Sequence, residues 1–247
     1  MHNELFTIGS ITFYGYGLMI AIGIMAAYYN TERLAKKIAL DSTPVFHILL
    51  IGVGFGLLGA KLLYYLTTIH EILANPKLLL DVTNGFVVYG GIIFGIIAPA
   101  FYCKKKELPF LKYLDCAAPS IALAQGFGRI GCFLAGCCYG KEMHSPISIT
   151  FTHSAFAPNN IPLFPSQLVS SVFDFVHFFI LYTLFKRNKQ PGKIGAYYLI
   201  IYSIGRFIIE FFRGDLERGN VGGLSTSQFI SIFVAAIGII MVHQLKK

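Results

Sequence analysis

Seven stretches of the chain are apolar almost throughout, and each is about as long as a membrane-crossing helix. An α-helix rises about 1.5 Å per residue, so crossing the hydrocarbon core of a bilayer takes about 20 mostly apolar residues. The pattern therefore predicts an all-α, polytopic membrane protein with about seven transmembrane helices. The predicted helices cover roughly residues 11–29, 45–66, 85–102, 113–139, 166–185, 194–212 and 225–243.

The fourth stretch is the least regular of the seven. Pro119 lies inside it, and its second half and the residue that follows contain five glycines. Both features interrupt helices, so we expect either a broken helix or a glycine-rich turn here. The segment that follows, at about 141–165, is polar and contains His144 and His153. We interpret it as an external arm of a single transmembrane domain, residues 1–247.

Positively charged residues alternate between the two sides of the predicted bundle. The loops of one side hold four of them: Lys77, Lys141, Arg213 and Arg218. The other side holds thirteen: Arg33, Lys36, Lys37, Lys104, Lys105, Lys106, Lys112, Lys186, Arg187, Lys189, Lys193, Lys246 and Lys247. Because cytoplasmic loops carry the excess of Lys and Arg, the pattern predicts a cytoplasmic C-terminus and an N-terminus outside. Met1–Glu4 contains no Lys or Arg, so we expect no cleaved signal peptide.

Composition agrees with a membrane protein. Hydrophobic residues make up 55% of the 247 residues and charged residues 13%, with a mean hydropathy of +0.64, whereas a soluble domain carries about 25% charge. These values exclude a soluble globular enzyme, a disordered chain and a coiled coil, and five cysteines are too few for a disulfide-stapled secreted module. The net charge of +8 follows from the cytoplasmic loops, which attract anionic membrane lipids, so we expect no nucleic-acid partner.

Three cationic residues remain inside the predicted helices: Lys61, Arg129 and Arg206. Each costs roughly 2.5 to 3.5 kcal/mol near the bilayer centre, so each needs a partner, water or a ligand. All three lie in the outer halves of their helices, as does Glu210 at i+4 from Arg206. The cations exceed the acid by two charges, and a phosphate group, which Arg binds in bidentate fashion, would supply the missing charge. A structural role, with Glu210 satisfying Arg206 and the others reaching the interface, stays open.

Two further acids lie inside predicted helices. Asp115 is near the cytoplasmic end of the fourth helix, and Asp174 is near the middle of the fifth, with His177 three residues later. We expect Asp174 and His177 to make helix-to-helix hydrogen bonds rather than a proton relay.

Three cysteines, Cys132, Cys137 and Cys138, lie near the outer end of the fourth helix. Their spacing does not match the paired CxxC ligand sets of zinc sites, and no His lies within four residues of them. We expect them to pack against neighbouring glycines or to form a disulfide, with a catalytic thiol as the alternative. The sequence therefore predicts no metal site and no other cofactor.

Five short segments carry a resemblance to a known family. The most specific is Gly126–Gly140, GFGRIGCFLAGCCYG, which is similar to a signature built around a GR(I/L)G core. Tyr202–Asp215, YSIGRFIIEFFRGD, is similar to YGxxRxxxEFFR. Three shorter matches lie in the expected order: YGLM at Tyr16–Met19, YGGIIFG at Tyr89–Gly95 and PSQL at Pro165–Leu168. Together they resemble the prolipoprotein diacylglyceryl transferases, bacterial membrane enzymes that begin lipoprotein maturation.

This resemblance implies an activity and a location. Members of the family transfer the diacylglyceryl group of phosphatidylglycerol to the thiol of the lipobox cysteine in the signal peptide of a preprolipoprotein. The reaction forms a thioether and releases glycerol phosphate. The implied location is the bacterial cell membrane (the inner membrane where there are two), as a multi-pass protein with the active site toward the outer leaflet. The implied partners are phosphatidylglycerol, the lipobox peptide and membrane lipids.

The resemblance also implies roles for individual residues. Arg129 and Arg206 would hold the lipid phosphate, and Glu210 would orient Arg206. The other residues that would line the phosphatidylglycerol site are Tyr16, Lys61, Gln167 and Gly131. A further group would have to remove the proton from the acceptor thiol, since the thiolate is the nucleophile.

The chain departs from the family pattern where that proton acceptor is expected. The family's His before GG in the third-helix motif is Tyr89 here, and a tyrosine is a poor base at neutral pH unless cations lower its pKa. Tyr89, His144 or His153 could take this role, or no protein base is needed. Other departures are Cys132 and Cys137 at positions often Asn and Glu, Phe164 before PSQL, and Lys61 where Arg is frequent.

Two alternatives remain beside the transferase. One is a paralogue that uses the same phospholipid site with another acceptor. The other is a phospholipid or anion transporter, but transporters favour a site at the bilayer midplane between repeats. In this sequence the intramembrane charges lie toward one face and no repeat is visible.

Overall fold

The fold is almost entirely helical. The structure is a computed structural model that describes residues 4–9, 11–80, 85–215 and 219–245. Three residues used above to predict the orientation lie outside these ranges: Arg218, Lys246 and Lys247. The helices are α1 (Gly15–Lys37), α2 (Thr43–Thr67), α3 (Ile69–Ala74), α4 (Val88–Lys105), α5 (Phe110–Ala135), α6 (Ser166–Arg187), α7 (Lys193–Glu210) and α8 (Thr226–Gln244), with a 3₁₀ turn at Pro76–Leu80.

Three antiparallel strand pairs accompany the helices. The strands are β1 (Glu4–Ile8) with β2 (Ile11–Tyr14), β3 (Ile149–Thr150) with β4 (Pro162–Leu163), and β5 (Asn220–Val221) with β6 (Leu224–Ser225). The chain divides into two compact units. The first unit is Met1–Leu34 with Leu114–Lys247, and the second unit is Ala35–Tyr113. That residues 1–247 form a single domain stays a prediction.

Each of the seven predicted stretches contains one long helix, so the all-α prediction is confirmed. Within the described residues, α2, α6 and α8 are long and apolar enough to cross a membrane by length and composition alone. The large apolar side chains of these helices are often exposed, as for Leu57, Val172 and Ile239. Such exposure is expected where lipid, rather than water, surrounds a helix.

The prediction of a helix beginning at residue 11 is wrong. Residues 11–14 form β2, which pairs with β1 so that Thr7 lies opposite Thr12, and α1 begins only at Gly15. The turn contains Gly9 at φ +63°, a left-handed conformation that glycine adopts without steric cost. A Gly-Ser pair between two β-branched residues is a hairpin signal, and the apolar character of residues 11–14 concealed it.

The fourth predicted helix is continuous, and its glycine-rich end is a turn. Helix α5 passes through Pro119 and ends at Ala135, four residues earlier than expected. Gly136 follows at φ +76°, and its N–H donates to the Phe133 carbonyl at 3.1 Å. A left-handed glycine just after the last helical turn is a common way to end a helix. Of the two expectations, the turn is confirmed and the break is wrong.

The predicted arm at 141–165 contains regular structure. Besides β3 and β4, it contributes Phe151, Ala157 and Leu163 to a small buried hydrophobic cluster. Phe133 of α5 packs against this cluster, with its ring centroid 6.0 Å from that of Phe151. The cluster therefore attaches the arm to the end of α5.

Asp115 connects α5 to the start of α7. Its carboxylate accepts the backbone N–H groups of Gly192 at 2.6 Å and Gly195 at 2.9 Å. The first N–H groups of a helix have no partner within the helix, and a carboxylate also suits the positive end of the helix dipole. Asp115 thus has a structural role at the N-terminus of α7.

In the second unit, α2 and α4 approach closely through glycines. A Cβ added at Gly59 would lie 2.5 Å from Phe94 Cβ and 2.6 Å from the Gly90 carbonyl oxygen. Gly52 and Gly56 of α2 likewise face Gly95 of α4. Small residues permit such close approach of helices in membranes, where packing rather than water exclusion drives association.

This close approach predicts that Gly59→Ala destabilises the protein. The added methyl group forces Phe94 or the α4 backbone to move, at a cost of about 1–3 kcal/mol. The measurement is the thermal unfolding midpoint in detergent micelles. Gly54→Ala is the control, since it lies on the same helix and a Cβ there meets no atom within 4 Å. Equal midpoints for the two variants would contradict the packing described for α2 and α4.

Candidate active site

Arg206 is held by two neighbours near the end of α7. Its Nη2 lies 2.7 Å from Glu210 Oε2, one helical turn away, and donates to Ser227 Oγ of α8 at 3.0 Å. The side chains of Arg206 and Glu210 are only 13% and 5% exposed, so solvent screens this ion pair weakly. The i, i+4 pairing that the sequence predicted is confirmed, and Ser227 is an additional partner that the sequence analysis missed.

Arg129 approaches a different carboxylate. Its Nε lies 3.9 Å from Asp174 Oδ2 of α6, near the outer limit for an ion pair, and the two side chains are 22% and 4% exposed. Asp174 also lies within electrostatic range of Arg206. Asp174 therefore contacts Arg129 and lies within electrostatic range of Arg206.

Two aromatic side chains flanking Asp174 bring the three helices together. Phe175 packs where a Cβ on Gly126 of α5 would lie 2.7 Å from its ring, and Phe173 fills the space beside Gly205 of α7. The Ser171 hydroxyl donates to the Gly126 carbonyl at 2.9 Å. Asp174 thus lies on α6 between the residues that contact α5 and α7.

The predicted charge count at this level is wrong. It set Arg129, Arg206 and Lys61 against Glu210 alone, but Asp174 adds a second acid. The sequence analysis left Asp174 out because it placed this residue near the middle of its helix. In the structure Arg129 lies roughly 9 Å from the end of α5 and Asp174 roughly 12 Å from the start of α6, so the two are at similar distances from these helix ends. Within the first unit, Arg129, Arg206, Asp174 and Glu210 together are formally neutral, and Arg129 is the more loosely paired of the two cations.

The helix-to-helix hydrogen bond predicted for His177 is not formed among the described residues, whereas Asp174 reaches Arg129 of another helix. His177 is fully buried, and neither ring nitrogen has a hydrogen-bond partner in the described part of the chain. Its ring stacks on that of Tyr198 with centroids 5.1 Å apart. The role of His177 is therefore aromatic packing between α6 and α7.

Tyr16 and Gly131 are in contact. A Cβ on Gly131 would lie 3.2 Å from Tyr16 Cδ2 and from the Tyr16 carbonyl oxygen, so glycine allows the first turn of α1 to lie against α5. Tyr16 is 41% exposed, and its phenol is within electrostatic range of Arg129 and Cys132. The structure thus brings Tyr16, Gly131 and Arg129 together.

Gln167 is buried and holds the turn that follows α5. Its Nε2 donates to the Cys137 carbonyl at 2.8 Å, and the hydroxyl of neighbouring Ser166 donates to the Cys138 carbonyl at 2.7 Å. The same turn gathers three thiols, since the sulfur atoms of Cys132, Cys137 and Cys138 all lie within 4.8 Å of one another. The spacing of the cysteines in the sequence did not predict this convergence.

Arg213 pairs with a partner that the sequence analysis missed. Its Nε and Nη2 donate to the two carboxylate oxygens of Asp215 at 2.8 Å and 2.6 Å. Backbone hydrogen bonds join the same segment to the turn after α5: Lys141 N donates to Phe212 O at 2.9 Å, and Gly214 N donates to Tyr139 O at 3.0 Å. Arg213 also lies beside the Cys138 thiol.

Lys61 and Tyr89 lie in the second unit. The Lys61 ammonium is 5.1 Å from the ring centroids of Tyr64 and Tyr65 and 5.2 Å from that of Phe86, within the range of cation–π attraction. Tyr89 is half-buried in the first turn of α4.

The two arm histidines occupy different surroundings. His144 is 78% exposed and lies 3.2 Å from Glu142. His153 lines a cavity of about 530 Å³ together with Tyr14 and Gly136. Phe164, which stands where the family often has His, stacks on Phe212 with centroids 5.0 Å apart. His153 lines this cavity, whereas His144 does not.

Comparison with known proteins gives consistent matches over nearly the whole chain. The family model for prolipoprotein diacylglyceryl transferase matches residues 3–244. A phosphatidylglycerol–prolipoprotein diacylglyceryl transferase of Clostridium tetani is 51% identical over 97% of this chain and 96% of its own length. Similar proteins include one named transferase 2 from Clostridium perfringens, 44% identical over 98% of this chain and 94% of its own. A relative from Finegoldia magna is 33% identical over 100% and 97%.

The buried amide of Gln167 gives a prediction about the turn. Gln167→Ala leaves the Cys137 carbonyl without its donor, so we expect a loss of about 1–3 kcal/mol in stability. We also expect faster alkylation of Cys137 and Cys138 by a maleimide, measured by peptide mass spectrometry. Gln190→Ala, in the exposed loop before α7, is the control. Alkylation at the wild-type rate in Gln167→Ala would show that the amide does not hold this turn.

Proposed function

The chain belongs to the prolipoprotein diacylglyceryl transferase family, and on that premise we propose that it transfers the diacylglyceryl group of phosphatidylglycerol to a prolipoprotein. The acceptor is the thiol of the lipobox cysteine in the signal peptide of a preprolipoprotein. Its sulfur forms a thioether with the glyceryl carbon, and glycerol phosphate leaves. This activity agrees with the names of the relatives, which match along almost their full length.

The observation that carries the proposal is a pair of largely buried guanidinium groups, Arg129 on α5 and Arg206 on α7, that both act electrostatically on Asp174. Breaking the carbon–oxygen bond leaves negative charge on the phosphate, and fixed cations in a site shielded from water stabilise that charge as it develops. Arg206 is fixed by Glu210 and Ser227. Arg129, whose nearest carboxylate oxygen is 3.9 Å away, retains N–H donors for the phosphate.

A formally neutral cluster can still bind the lipid. The 3.9 Å separation makes the contact between Arg129 and Asp174 weak, and a bidentate phosphate contact at hydrogen-bond distance is stronger. Tyr16 and Gly131 lie beside Arg129 and line the headgroup site in this proposal. Gln167 contributes by holding the turn after α5, and Lys61 and Tyr89 remain candidates from the second unit.

We further propose that all seven long helices cross the membrane, with the N-terminus outside and the C-terminus in the cytoplasm. The distribution of Lys and Arg among the loops supports this orientation. In the orientation proposed, the end of α7, the end of α5 and the start of α6 face the outer leaflet. Phosphatidylglycerol would therefore reach the arginines from the outer leaflet of the cell membrane.

The phosphate-binding role predicts the effect of removing either arginine. In a reconstituted assay, we expect Arg129→Ala and Arg206→Ala each to lower the transfer rate on the order of 10²-fold or more, because one charged donor to the leaving group is lost. Arg187→Ala, at the far exposed end of α6, is the matched control. Size-exclusion chromatography confirms that each variant is folded. Full activity of folded Arg129→Ala and Arg206→Ala would overturn the phosphate assignment.

The reaction itself is tested with purified protein, phosphatidylglycerol vesicles and a lipobox peptide. We expect the peptide mass to increase by one diacylglyceryl group, and we expect no change in a peptide whose cysteine is replaced by serine. Movement of labelled lipid between leaflets without peptide modification would favour a transporter. Release of glycerol phosphate with an unmodified peptide would indicate another acceptor.

A further inference from the structure

The turn after α5 forms a cluster of three thiols that the proposed function does not use. Cys132 lies in the last turn of α5, and the left-handed backbone at Gly136 and Cys138 reverses the chain so that Cys137 and Cys138 return toward it. The three sulfur atoms lie within 4.8 Å of one another. All three residues are partly exposed.

We propose that Cys132, Cys137 and Cys138 bind one thiophilic divalent cation of the zinc class. Zinc–sulfur bonds are about 2.3 Å long, so sulfur atoms on one tetrahedral ion are about 3.8 Å apart. The thiols therefore need to close by no more than about 1 Å, which side-chain rotation in a turn permits. Thiolate ligands select soft or borderline metals of this kind over Mg²⁺ and Ca²⁺.

The surrounding charges favour a divalent ion. Three thiolates carry three negative charges. A complex with a divalent ion therefore has one net negative charge, and a complex with a monovalent ion has two. Arg213 lies beside Cys138, and Arg129 is within electrostatic range of Cys132 and Cys138. Each of these arginines also lies beside a carboxylate, which offsets part of its positive charge. The remaining positive potential is modest, so it suits a complex with one net negative charge better than a complex with two.

Three protein ligands leave one tetrahedral position open. The following role rests on the proposed function: the open position binds the thiol of the acceptor cysteine. A thiol that coordinates such an ion loses its proton, which passes to water. The sulfur electron pair then forms the bond to the glyceryl carbon, and the carbon–oxygen bond breaks with its pair on the departing glycerol phosphate. The ion is not oxidised or reduced. It promotes deprotonation of the acceptor thiol, a step for which this chain has Tyr89 in place of the family's His.

The site is tested by titrating purified, reduced protein with Cd²⁺, whose thiolate complexes absorb in the ultraviolet. We expect one equivalent to bind with a charge-transfer band that is lost in Cys132→Ala, Cys137→Ala and Cys138→Ala. Cys103→Ala and Cys116→Ala are the controls, since these two buried thiols lie outside the cluster and should leave the band unchanged. Absence of the band in folded, reduced wild-type protein overturns the site, whatever the variants do.

The open position is tested in the same cuvette by adding a lipobox peptide to the Cd²⁺ complex. We expect the band to grow by about a third, because a fourth thiolate joins three, and we expect no growth with the serine peptide. No growth with the cysteine peptide refutes thiol binding. Because this readout needs no lipid and no turnover, an inactive protein that shows the growth would refute the proposed transferase and retain the metal site.

Discussion

The cost of holding guanidinium groups among apolar helices determines the arrangement of the first unit. An unpaired Arg near the centre of a bilayer costs roughly 2.5 to 3.5 kcal/mol, and Arg129 and Arg206 lie on different helices. Asp174 on α6 lies within electrostatic range of both, so its carboxylate offsets part of this cost. The long contact to Arg129 is the part of this arrangement that an anion can replace at low cost. One acid therefore serves both the stability of the site and its availability to phosphate.

Helix packing through glycines makes this arrangement specific. Asp174 lies between α5 and α7 because the aromatic residues on either side of it pack against glycines of these two helices. At Gly205 and Gly126 a methyl group would occupy the volume of a ring, so a larger residue at either position would move α6 relative to α7 or α5. Glycine packing also brings α2 and α4 together in the second unit. In both units the distance between helices depends on residues that carry no side chain.

Periodicity and apolar length were sufficient to predict every long helix, and motif resemblance was sufficient to predict the family. They failed where tertiary contacts decide the outcome. Residues 11–14 are apolar enough for a helix, but pairing with β1 makes them a strand. The sequence predicted that Asp174 contacts another helix, but it did not identify Arg129 of α5 as the partner. Ser227 and Asp215 gave no signal at all, because each matters only through the arginine that the fold places beside it.

The cysteine cluster connects two departures from the family pattern that are far apart in the sequence. Transfer to a thiol needs a cation for the leaving phosphate and a means of generating a thiolate. On α5 the proposed phosphate ligand Arg129 precedes Cys132 by three residues, which places the two on one helical face. If the thiolate is generated at the cluster, α5 positions both the phosphate ligand and the group that forms the thiolate. A tyrosine in place of the base at position 89 then removes no essential step. A chain that has Cys at positions 132 and 137 can therefore retain the family's chemistry with a tyrosine at position 89.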